Sequence, residues 1–131
     1  MPNKKILIID DDKTSSLLVQ SRLQANQYEV FHASDGLKGL EEVKSVKPDL
    51  IILDVEMPRM NGYTFMNEFK KLDISKTTGV LVLTSHAEHQ PIFTLKGVRG
   101  YLLKPIDMAA LEEKVKKSLE DSDNLRASYE K

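Results

Sequence analysis

An α/β fold, a doubly wound parallel sheet with helices on both faces, is predicted by three observations. Short and nearly unbroken apolar runs occupy residues 6–9, 50–53 and 80–83. Runs without polar alternation suit parallel strands covered on both sides. Stretches with apolar residues at helical spacing lie between them. The chain also has 131 residues, 40% of them hydrophobic and 30% charged, the size and composition of one globular domain.

The first strand is Ile6, Leu7, Ile8 and Ile9, stopped by Asp10, Asp11 and Asp12. Leu17, Leu18 and Leu23 then mark a helix over residues 14–26. A weaker strand covers residues 28–32. Leu37, Leu40 and Val43 mark a second helix over residues 36–46, ended by Pro48. Leu50, Ile51, Ile52 and Leu53 form the third strand, followed by Asp54. Phe65, Met66, Phe69 and Leu72 share a helical face after Gly62. The run from Val80 to Leu83 is the fourth strand and leads into Thr84 and Ser85. Residues 88–96 are ambiguous, because Pro91 suits a first helical turn but the pattern is short before Gly97. Tyr101, Leu102 and Leu103 form a weaker fifth strand before Lys104 and Pro105. Met108, Leu111, Val115 and Leu119 share the face of a last helix, with Asp107 as its cap. Strands and helices thus alternate, which implies right-handed crossovers in a parallel sheet. Residues 121–131 are polar and carry no apolar stripe. They read as a polar C-terminal tail, a frayed helix end or disordered, after a domain over residues 1–120. The start of a linker or of a partner-binding helix is the alternative.

Charge and composition narrow the functions. Nineteen basic against twenty acidic residues give a net charge of −1, without the basic excess of a general nucleic-acid binder. Lys70-Lys71 and Lys116-Lys117 read as solvated helix faces, so no direct nucleic-acid contact is expected. The absence of cysteine excludes disulfides, thiolate metal sites and cysteine nucleophiles. The first apolar run is too short for a signal peptide or a membrane span, so a cytoplasmic location without membrane insertion is expected. His32, His86 and His89 fall on unrelated elements and read as surface residues.

In an open parallel sheet, ligands bind beyond the carboxyl ends of the strands. Those ends carry Asp10, Asp11 and Asp12, then Asp54, then Thr84, then Lys104. Any one such aspartate reads equally well as a helix cap or turn residue. Their coincidence on separate strands, all at one edge, points to a site. Clustered carboxylates repel one another, and a hard divalent cation relieves the repulsion. Magnesium favours one or two carboxylates plus water and phosphate oxygens. A carboxylate in such a cluster can attack phosphorus and become an aspartyl phosphate. Lys104 and Thr84 would then meet the phosphoryl oxygens.

The set Asp10-Asp11, Asp54 with Met57-Pro58 and Gly62, Thr84-Ser85 and Lys104-Pro105 resembles the receiver domain of two-component response regulators. The match spans residues 4–120. The segment Leu53-Asp54-Val55-Glu56-Met57-Pro58-Arg59-Met60-Asn61-Gly62 is its most specific part. The resemblance implies a flavodoxin-like, five-stranded sheet in the order 2-1-3-4-5, the order of a chemotaxis receiver. It implies that Asp54 is the phosphoacceptor and that Asp11 is the main carboxylate ligand of Mg2+. Asp10 would assist, partly through water, and Glu56 would lend its backbone carbonyl. Lys104 would pair with the phosphoryl group. Thr84 and Tyr101 would be the switch residues, and the Lys104–Pro105 bond is often cis in the family. A sensor histidine kinase or a histidine phosphotransfer protein would donate the phosphoryl group. A downstream protein partner or output domain would read the result. Such a domain assists its own phosphorylation and dephosphorylation and is not an enzyme with a separate substrate. The chain resembles either a stand-alone receiver or the receiver part of a longer protein.

Glu56 and His86 border the path that the resemblance gives to attacking water, so they either tune the phosphoryl lifetime or are solvated loop residues. The stretch over residues 85–100 is shorter than the family's by about half a helical turn. A short, shifted or mobile fourth helix is therefore expected there. Two other functions compete. Asp10-Asp11-Asp12-Lys13-Thr14 also resembles the first motif of haloacid-dehalogenase-type phosphatases, with Asp10 as nucleophile and Asp12 as acid/base. That reading leaves Asp54 unexplained. A pseudo-receiver, a binding module without phosphorylation, would not need the complete set of carboxylates, Thr84 and Lys104.

Overall fold

The computed structural model describes residues 3–55, 60–85 and 97–129. In chain order the elements are β1 (Lys5–Ile9), α1 (Lys13–Ala25), β2 (Glu29–Ala33), α2 (Gly36–Val46), β3 (Leu50–Leu53) and α3 (Gly62–Phe69). A 3-10 turn (Asp73–Lys76), β4 (Gly79–Thr84), β5 (Gly100–Leu103) and α4 (Met108–Tyr129) follow. All strand pairs are parallel, in the order β2-β1-β3-β4-β5. This is the expected doubly wound, flavodoxin-like sheet. The expected fourth helix of the family, within residues 88–96, lies outside the described residues.

The apolar runs explain the layering. Successive side chains of a strand point to opposite faces. Leu7, Ile9, Ile51, Leu53, Val80 and Val82 therefore meet Val43 of α2 and Phe65, Met66 and Phe69 of α3 on one side. Ile6, Ile8, Leu50, Ile52, Leu81 and Leu83 meet Val19 and Leu23 of α1 and Leu111, Val115 and Leu119 of α4 on the other. Every residue of β3 and β4 is buried. Each Leu or Ile buried this way contributes about 1.5–3 kcal/mol over an exposed one.

Helix starts follow local chemistry. Asp12 caps α1 by accepting from the Thr14 and Ser15 amides. Asp35 accepts from the Lys38 amide, Asn61 from Thr64 and Asp107 from Ala110. Each cap satisfies an amide that has no intrahelical partner.

Two elements differ from the sequence reading. Leu17 and Leu18 mark α1 in the sequence, yet they are 61% and 55% exposed. The buried face of α1 is Ser15, Ser16, Val19 and Leu23. The second difference follows Glu120, where a frayed or disordered tail is expected. Instead α4 continues to Tyr129. Polar groups hold it. Arg99 donates to the Ser118 carbonyl at 2.6 Å, to Ser122 Oγ at 2.5 Å and to the Thr77 carbonyl at 3.0 Å. Arg126 pairs with Asp49 at 2.7 Å, and Asp49 also accepts the Lys5 amide at 2.8 Å. Ser122 is fully buried. An anchor made of serines and an arginine leaves no hydrophobic stripe to read.

Candidate functional site: an acidic pocket at the strand ends

Register brings the carboxylates together. Ile9 pairs with Leu53, so Asp10 and Asp54 follow side by side. The Asp54 amide donates to the Ile9 carbonyl at 2.9 Å, and the Asp10 amide donates to the Ala33 carbonyl at 3.1 Å. Thr84 ends β4 opposite Leu103. The Lys104 amide donates to the Thr84 carbonyl at 2.8 Å, which ties the hydroxyl-bearing residue to the ammonium-bearing one. The Lys104–Pro105 bond is cis, as the resemblance implies.

The side chains converge on one spot. Asp10, Asp11 and Asp54 each place a carboxylate oxygen within 4.8 Å of the others. Asp10 and Asp54 are buried and Asp11 is exposed. Lys104 Nζ lies 3.0 Å from Asp10 Oδ2 and 3.5 Å from Asp54 Oδ2. Asp10 Oδ1 accepts the Asp12 amide at 2.9 Å. Burial pushes the Asp10 carboxyl above its ordinary range, and the charge of Asp54 adds to the push. The Asp12 amide and Lys104 oppose it. Burial alone would lower the Lys104 ammonium, but its bond to Asp10 and the charges of Asp54, Asp10 and Asp12 outweigh that and hold it above its usual value. Among the described residues one ammonium thus faces three carboxylates, a surplus of negative charge.

That surplus fits a divalent cation. The donor set is all oxygen, which suits hard Mg2+. The exposed Asp11 leaves the cluster open to solvent on one side. A second feature is a buried donor on the adjoining strand end. Thr84 is fully buried, and its hydroxyl has no hydrogen-bond partner among the described residues. Buried polar groups are nearly always paired, so this one is held at a cost.

Among the residues the sequence selects, the structure brings Asp10, Asp11, Asp54 and Lys104 into contact distance and sets Thr84 on the adjoining strand end. Tyr101 is half-buried on β5, paired with Val82. Gly62 has a close neighbour, for a Cβ there would stand 2.9 Å from Val55 Cα. Glu56, Met57, Pro58 and His86 lie outside the described residues. Asp12 serves as the α1 cap, with its Oδ1 accepting two amides. This is the ordinary role weighed above, and it differs from the acid/base role of the phosphatase reading. One contact escaped the sequence reading. His32 Nε2 lies 2.9 Å from the Asp10 carbonyl oxygen. A histidine one residue before the end of β2 was its only trace.

Comparison with known proteins places this geometry in a family. Residues 6–116 match the response regulator receiver domain. Sporulation initiation phosphotransferase F of Bacillus subtilis is 32% identical over 121 residues, covering 91% of this chain and 96% of that protein. The DNA-binding dual master transcriptional regulator RpaA of Synechocystis is 33% identical over 123 residues, covering 92% of this chain but 51% of that protein. Against relatives of the second kind the chain spans about half the length, and their DNA-binding description lends no support to the expectation of no nucleic-acid contact. Among solved structures, response regulator TrrA of Thermotoga maritima in complex with Mg2+ and BeF is 31% identical, with a TM-score of 0.80 over 88% of this chain and 98% of that one. No helix among the described residues is long and apolar enough to cross a membrane. With the sheet order, the acidic pocket and the sequence match in agreement, the chain belongs to the response regulator receiver domain family.

Proposed function

We propose that this domain accepts a phosphoryl group on Asp54 from the phosphohistidine of a sensor histidine kinase or histidine phosphotransfer protein. The observation that carries the reading is the meeting of Asp10, Asp11 and Asp54 oxygens within 4.8 Å, with Lys104 Nζ 3.5 Å from Asp54. A carboxylate oxygen of Asp54 attacks phosphorus, the P–N bond to the donor imidazole breaks, and the imidazole nitrogen keeps the electron pair. Asp11 and Asp54, with Asp10 in support and the Glu56 carbonyl implied by the family, would hold Mg2+. Bound there, the ion would supply positive charge to offset that of the phosphoryl oxygens. Lys104 adds a fixed positive charge on the same oxygens. The Thr84 hydroxyl, without a hydrogen-bond partner among the described residues, has a donor to offer a phosphoryl oxygen. Its movement would draw Tyr101 with it and bias a surface read by a downstream partner or output domain. The domain assists only its own phosphorylation and dephosphorylation, in the cytoplasm.

Intact-mass measurement after treatment with acetyl phosphate tests this. Wild type with magnesium should gain one hydroxylamine-labile phosphoryl group, whereas Asp54→Asn, or wild type with the metal chelated, should gain none. An adduct retained in Asp54→Asn would move the acceptor elsewhere.

A further inference from the structure

The last residue of β1 with strand partners on both sides is Ile9, opposite Ala33 and Leu53. The carbonyl of Asp10 therefore lies past the ladder, where a backbone acceptor needs some other partner. The neighbouring strand supplies one from a side chain, His32 Nε2 at 2.9 Å. A carbonyl only accepts, so this nitrogen carries the hydrogen. On the other side of the same residue, the Asp10 amide donates to the Ala33 carbonyl at 3.1 Å. Consecutive residues of β2 thus grip Asp10 through both of its backbone polar groups.

The peptide unit joining Asp10 to Asp11 is planar, so fixing the Asp10 carbonyl also fixes the direction in which the chain enters Asp11. The three carboxylates are not equally restrained. Asp54 is set by the β3 ladder, and Asp10 by Lys104 and the Asp12 amide. Asp11 is exposed, in the turn between β1 and α1, and gains its placement from the backbone on either side. Asp12 and the α1 cap hold that turn from its far end. His32 holds it from the near end.

We propose that His32 is a positioning residue of the acidic pocket, which orients the Asp10–Asp11 peptide and so strengthens the grip of the Asp11 carboxylate on a divalent cation. This rests on the phosphoacceptor reading above and adds to it a residue on β2, outside the ligand set. Outer groups that orient metal ligands commonly govern affinity in this way.

The test is a calorimetric titration of magnesium into unphosphorylated wild type, His32→Leu and His32→Gln, with thermal midpoints measured alongside. Loss of one hydrogen bond predicts a magnesium Kd raised about three- to tenfold in His32→Leu, with recovery to within about twofold in His32→Gln, whose amide can still donate. In acetyl phosphate reactions the half-saturating magnesium concentration should rise in His32→Leu while the rate at saturating magnesium stays level. A merely structural role would lower the thermal midpoint and leave the magnesium Kd alone, and that result would overturn the proposal. An equal loss in both variants would overturn it too. Wild type that takes up phosphate, beside a His32→Leu variant with unchanged Kd, sinks this inference and leaves the phosphoacceptor reading standing. Wild type that binds no magnesium and gains no phosphoryl group sinks both.

Discussion

Thr84 holds a hydroxyl in full burial without a partner among the described residues. Leaving a buried polar group unsatisfied costs about 1–3 kcal/mol, and an isosteric apolar group removes that cost. Thr84→Val should therefore stabilise the unphosphorylated domain by about 1 kcal/mol in urea unfolding. On the proposed function the same variant should also switch poorly, a trade of stability for activity. An unchanged or lowered stability would mean that the hydroxyl has a partner in solution. At this scale the sequence was informative for a geometric reason. Every parallel strand ends at the same edge, so Asp10, Asp11, Asp54, Thr84 and Lys104 could be grouped without a structure. His32 could not, because its part depends on a ring reaching a carbonyl across two strands.

Helix α1 shows how periodicity finds an element and misplaces its face. The leucines at 17 and 18 satisfy a helical pattern, but the sheet takes the side bearing Val19 and Leu23. Two small serines, Ser15 and Ser16, let that side approach closely and escape any search for apolar residues. Leu17→Gln and Leu18→Gln should each change stability by no more than about 0.5 kcal/mol. Leu23→Ala, by contrast, should cost about 2–5 kcal/mol. Equal costs at all three sites in denaturant unfolding would contradict the orientation of the helix. The far end of α4 was hidden for a related reason, since Ser118, Ser122 and Arg126 anchor it with polar contacts. Burial holds the Arg99 guanidinium below its usual range, yet its three accepting groups keep it satisfied. Arg99→Leu should cost about 2 kcal/mol and expose the amides of residues 121–129 to hydrogen exchange. Full protection there in the variant would show that the Asp49–Arg126 pair suffices.

For the molecule as a whole, the two apolar layers and the charged edge pull in opposite directions. The sheet is buried on both faces by apolar residues, while among the described residues three carboxylates crowd its carboxyl edge beside one ammonium. A ligand that binds only the folded state raises its stability in proportion to the logarithm of its concentration over Kd. Magnesium at 100 times its Kd should therefore add about 2.7 kcal/mol to unfolding, and chelation should remove it. A thermal midpoint insensitive to magnesium would contradict the metal site. The alternation of strands and helices gave the fold class from sequence alone. The sheet order came instead from the family likeness, because nothing in local periodicity says which strands are neighbours.

Asp10 and the lysine that pairs with it are 94 residues apart. A chain emerging from the ribosome presents its N-terminal part first. The aspartates that follow β1 and β3 are therefore made well before the ammonium that offsets them, and β5 is the last strand to be made. Until it docks, the acidic pair stands without its counter-charge and without the peptide that fixes Thr84. Completion of the pocket thus coincides with completion of the fold, and on the proposed function a chain cut short before Lys104 would carry the Asp54 carboxylate in a half-built pocket without its counter-charge.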